Sequence, residues 1–232
     1  MVLKFIKTAA AALTITTISV FPSNAETFDY MFDISLGMAK IGEMRVQADV
    51  NEGRYDVSGA LKSTGIVGAL YDVSYESRAR GRNTDHWNFS PHRYNSVSVE
   101  GNDTQISNIR YEGNRVSRVV FDPRKRIPDS ATSETNTIDP MTLIYLLVRP
   151  VSMDHICGGS YILFDGRKHL EVTYTNPRSF SDGRVECAVT YGGKSSGVAL
   201  SSVTFEPGDD GLMHISRFAA NTNIGTLTAR RR

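Results

Sequence analysis

Cysteine is scarce in this chain. Its 232 residues contain two, Cys157 and Cys187, and no C-x-x-C pair. That removes the close ligand spacing of a zinc site. A surplus of charge is also missing: 26 Lys and Arg face 25 Asp and Glu. A nearly neutral chain argues against nucleic acid as a partner, which needs a basic face. No stretch reaches the roughly 20 apolar residues that span a bilayer. No P-loop and no dinucleotide fingerprint is present. The histidines, His86, His92, His155, His169 and His214, show no i, i+4 pair on a helix and no known ligand spacing. Catalytic residues, cofactor and metal are each read as none.

The first 25 residues carry a positive signal. Lys4 and Lys7 precede a weakly apolar run over residues 8–21, then Pro22 and the small residues Ser23-Asn24-Ala25. This is the three-part layout of a secretory signal peptide, with cleavage between Ala25 and Glu26. The expected mature domain covers residues 26–232, enough for one good core and short for two. It is expected to be periplasmic and not transmembrane after cleavage. Outside the cytosol a cysteine pair usually bridges, so a Cys157–Cys187 disulfide is expected. The terminal Arg230-Arg231-Arg232 reads as a solvated tail, or else as a contact with an anionic membrane surface.

The exported region alternates apolar and polar residues at a period of two. Met44, Val46, Ala48 and Val50 show it, and Gly, Asn and Asp turns such as Gly101-Asn102-Asp103 separate the segments. The reading is mainly β: a single curled antiparallel sheet, an open barrel or β-spiral, with one short buried helix. Residues 64–68 read as a flexible bend, and residues 122–139 as a long polar loop. Asp139-Pro140 is an N-cap with a first-turn proline, and Arg149-Pro150 closes the segment. The helix between them is apolar on almost every side and belongs inside the curl. There, Leu143, Ile144, Leu146 and Leu147 either line an acyl-chain cavity or pack a filled core, and the same residue types suit both. Asp165-Gly166 reads as a tight hairpin turn.

Gly193-Lys194-Ser195-Ser196-Gly197 matches G-x-S-x-G, and Asp209, Asp210 and His214 follow it. The next residues read as a strand rather than the helix a nucleophile elbow requires, so a loop is the better reading. Asp209 and Asp210 read as solvated turn residues.

Four features in order resemble a bacterial periplasmic family of unknown function, numbered thirty-one hundred and eight. They are Gly37 to Gly42 in an opening hairpin; Tyr55-Asp56-Val57 leading to Lys62-Ser63-Thr64-Gly65; Asp139-Pro140-Met141-Thr142 before Leu143 to Leu147; and Cys157, then Phe164-Asp165-Gly166-Arg167, then Cys187. The resemblance implies a broad sheet wrapped as an open barrel or spiral and an outline similar to periplasmic proteins that carry lipoproteins or guard envelope integrity. It brings no catalytic residues.

These readings converge on a non-enzymatic periplasmic protein supporting cell-envelope and outer-membrane homeostasis. Its partner would be a lipid, lipoprotein, lipopolysaccharide or other envelope protein. The alternatives are a protein-interaction module with a filled core and, remotely, a serine hydrolase using Ser195.

Overall fold

Alternating patterns separated by tight turns fold here as neighbouring strands. In the computed structural model, which describes residues 26–70, 72–85, 87–192 and 199–232, seven strands form an antiparallel meander. They are β1 (Glu26–Leu36), β2 (Ala39–Asn51), β3 (Arg54–Ser63), β4 (Val73–Asn83), β5 (Phe89–Glu100), β6 (Asp103–Glu112) and β7 (Arg115–Asp122). A short helix, α1 (Gly65–Leu70), occupies the expected bend between β3 and β4. The polar segment after β7 holds one turn of 3-10 helix at Asp129–Thr132 and a two-residue strand, β8 (Thr137–Ile138). Helix α2 (Pro140–Val148) follows. A second meander returns through β9 (Ser160–Phe164), β10 (His169–Ser179), β11 (Val185–Gly192), β12 (Ala199–Pro207), β13 (Met213–Thr222) and β14 (Gly225–Arg231).

Strand β14 pairs with β1 and joins the meanders into one 14-stranded sheet. Its end strands, β7 and β8, curl toward each other. The Thr137 amide donates to the Asn114 carbonyl at 2.9 Å, which nearly closes a barrel. The expected antiparallel sheet has one exception: β8 pairs with β9 in parallel. Helix α2 lies between those two strands in sequence and returns the chain in the same direction, as parallel neighbours require.

Helix α2 sits inside the curl and touches β3, β4, β5, β9 and β13, strands of both meanders. Six apolar side chains, Met141, Leu143, Tyr145, Leu146, Leu147 and Val148, are buried there. Removing each from water contributes roughly 1.5–3 kcal/mol. The Tyr145 ring lies 5.4 Å from the Tyr55 ring and 5.8 Å from the Phe89 ring. Gly59 leaves room for the Met141 sulfur, which a Cβ there would meet at 2.8 Å. At the far end the Arg149 guanidinium lies over Phe89, 5.3 Å from the ring centroid. Cys157 and Cys187 are disulfide-bonded, tying the segment after α2 to β11. No helix among the described residues is long and apolar enough to cross a membrane.

Candidate functional site

At the α2 N-terminal end the curl opens into a mouth of about 670 Å³. Its wall comes from the inner faces of β4, β5 and β6, where Tyr75, Tyr94, Ser96, Ser98 and Ser107 present hydroxyls. The Tyr75 and Tyr94 hydroxyls bond to each other. Burial pushes the Tyr94 phenol well above its ordinary pKa, and the neighbouring Tyr75 adds to this, so the Tyr94 phenol stays neutral. Phe121 of β7 and Pro140 of α2 form the floor, and the rim carries charge of both signs, Lys125 and Arg167 beside Glu100, Asp103 and Asp165. The lining can hold a polar group of modest size through hydroxyls, two cations and three carboxylates. It contains no nucleophile–base pair.

The Asp165-Gly166-Arg167 motif shapes this rim. Asp165 accepts from the Arg167 and Lys168 amides at 2.8 and 2.9 Å, a side-chain-capped turn. The turn has four residues, Asp165 to Lys168, because pairing begins at Phe164 and His169; the two-residue form expected for Asp-Gly is not used. Gly166 has φ +93°, and a Cβ there would lie 3.2 Å from Phe121 Cζ. The turn therefore packs closely on the Phe121 ring, and its positive φ favours glycine.

Asp139, from the other sequence motif, lies beneath the mouth and is fully buried. Its carboxylate accepts from the Thr142 amide at 2.8 Å and from the Thr142 hydroxyl at 2.6 Å. That hydroxyl lies 2.9 Å from the Tyr55 hydroxyl. Burial pushes the Asp139 carboxyl up to about 6, against the pull of these hydrogen bonds.

The structure brings Pro140, Asp165 and Arg167 together around the mouth but leaves the four helix candidates out of its lining. Leu143, Leu146 and Leu147 are buried in the core, and Ile144 is half-buried against it. Ala25 and Ser195 lie outside the described residues, as does His86, while Glu26 opens β1. Asp210 is an exposed turn residue, as expected, and also has a partner. It contacts His214 Nε2 at 2.9 Å, and His214 Nδ1 meets the Tyr30 hydroxyl at 3.1 Å. The terminal arginines are not a free tail. Arg231 donates to Glu206 at 2.8 Å, and Arg232 donates to Asp33 at 2.6 Å and also pairs with Glu43. Among the described residues no three His, Cys, Asp or Glu side chains cluster as metal ligands. The tyrosine wall was missed in the sequence because Tyr75 and Tyr94 sit in separate alternating segments that only the β4–β5 pairing brings together.

The model of the family described as "Protein of unknown function (DUF3108)" matches residues 31–205. The chain belongs to this family. The match spans the helix motif, both cysteines and the Asp165-Gly166-Arg167 turn of this DUF3108 protein. Its fold is similar to a solved structure from Brucella abortus, a β-barrel-like protein of the domain of unknown function DUF1849. That likeness has a TM-score of 0.54 and 9% identity, and covers 90% of this chain and 97% of the other. It is a likeness of fold alone. No curated protein matches this chain.

Proposed function

We propose that this DUF3108 protein is a non-enzymatic periplasmic protein that supports cell-envelope and outer-membrane homeostasis. It binds the polar end of an envelope amphiphile, a lipid, a lipoprotein or lipopolysaccharide, in the mouth beside α2. The carrying observation is the division of the interior. The apolar centre is packed around α2, whereas the open part is lined by hydroxyls, with Lys125, Arg167 and the carboxylates of Glu100, Asp103 and Asp165 at its edge. Such a lining suits a headgroup bearing hydroxyls and charges of both signs, and leaves acyl chains outside. The formed disulfide suits an oxidising compartment.

Native mass spectrometry of gently purified protein tests this. Wild type is expected to carry an envelope amphiphile, and Lys125→Gln with Arg167→Gln is expected to lose it. Wild type emerging empty and taking up no lipid would count against the reading. The filled core also favours a second reading, a protein-interaction module using the edge of β7, where a partner strand could add. Crosslinking in the periplasm that yields a stable protein partner and no lipid would select it.

A further inference from the structure

Strand register lines up four arginines on the outer face of the sheet. Arg80 of β4 stands opposite Arg93 of β5, Arg93 opposite Arg110 of β6, and Arg110 opposite Arg118 of β7. Their chain neighbours Ala79, Tyr94, Ile109 and Val119 are buried in the core, so the four guanidinium groups project into solvent. Strands about 4.8 Å apart make this a row on the order of 14 Å long. At one end Arg80 donates to Asp56 at 2.7 Å, a carboxylate it shares with Arg78. Among the described residues Arg93, Arg110 and Arg118 form no ion pair.

Like charges directly opposite each other destabilise a sheet. Protection of an open edge accounts for Arg118 on the end strand. It does not account for Arg93 and Arg110, whose strands are paired on both sides. Arg93, Arg110 and Arg118 oppose folding and have no ion-pair partner among the described residues, so their counter-charge is external. Arg80 and Arg93 line an open depression with Arg78 and Asn95, but Arg110 and Arg118 lie outside it and none of the four is buried. They form instead an evenly spaced line suited to an array of phosphates. On the same face Val97 stands opposite Ile106, with Glu76 and Asp122 at the two ends of their row, and Val120 lies two residues beyond Arg118. Val97 and Val120 are 38% and 39% exposed. Cations beside exposed apolar side chains suit a membrane boundary better than a nucleic acid or an acidic protein.

We propose that this arginine row docks the protein on an anionic phospholipid surface. Headgroup phosphates lie along Arg93, Arg110 and Arg118, and Val97 and Val120 meet the acyl boundary. The surface is on the opposite face of the strands from the mouth and does not depend on what the mouth holds.

Co-sedimentation of the mature protein with vesicles tests it. Binding is expected to vesicles of phosphatidylglycerol mixed into phosphatidylcholine, to fall as salt rises, and to be absent on phosphatidylcholine alone. Arg93→Gln, Arg110→Gln and Arg118→Gln together should weaken binding on the order of 100-fold, with the thermal midpoint unchanged or raised. The three corresponding Lys substitutions, which keep the charge, should restore binding. Lys62→Gln, at an exposed cation outside both the row and the mouth, should leave it unchanged, which separates the row from positive charge in general. Absence of binding to anionic vesicles, equal binding by the triple Gln variant, or retention of DNA or an acidic protein in place of vesicles would overturn the proposal.

Discussion

Replacing Asp139 with Asn should change how stability depends on pH. Asp139 is wholly buried, and its carboxyl is raised from 3.8 to about 6 by desolvation, with no neighbouring cation to hold the charge. Between these values the folded chain keeps a proton that the unfolded chain has released. Its contribution to stability is therefore fully present below about pH 4 and is lost as pH rises through about 6. The gap between the two values corresponds to about 3 kcal/mol. Asn is as good an N-cap as Asp, so its amide oxygen can still accept from the Thr142 amide. It has no proton to lose in this range. Urea unfolding at steps from pH 4 to pH 7 should show wild type weakening relative to Asp139→Asn by about 3 kcal/mol, mostly between pH 4 and pH 6. Parallel profiles would refute the reasoning, because they would mean that the carboxyl is hydrated or held by an unrecognised cation.

Other outcomes follow from the packing. Cys157→Ser with Cys187→Ser should lower stability by roughly 3–4 kcal/mol, read by urea unfolding with and without reductant, because the bridge closes a loop with a sequence separation of 30. Gly166→Ala should lose roughly 1–3 kcal/mol in calorimetry, from its positive φ and the Phe121 ring against the turn. Leu147→Ala should cost about 2–5 kcal/mol, since the side chain is fully buried at the centre of the curl, and a loss under about 1 kcal/mol would indicate a loosely filled interior.

Most of the sheet was legible from period-two alternation and its turn residues, and α2 from its cap, proline and continuous apolar surface. The bend expected over residues 64–68 holds the short helix α1, and β4 begins only at Val73. Strand β8 was hidden in a polar run, since two residues carry no period, and it exists only because β9 offers a partner. Whether Leu143 and its neighbours line a cavity or fill a core could not be read locally, because both roles use the same residues. Packing against β3, β4, β5, β9 and β13 decided for the core.

By itself the sequence determined a strand-rich curl around a short buried helix, the cysteine pair, and the turn and cap residues, because alternation, capping and turn chemistry act between residues close along the chain. Tertiary structure alone decided which side chains became neighbours. The sequence drew attention to Arg230-Arg231-Arg232, and folding neutralised Arg231 and Arg232 against Glu206, Asp33 and Glu43. Arg80, Arg93, Arg110 and Arg118 are unevenly spaced in the sequence and became a charged row through strand register, a relation between distant residues that no local pattern records.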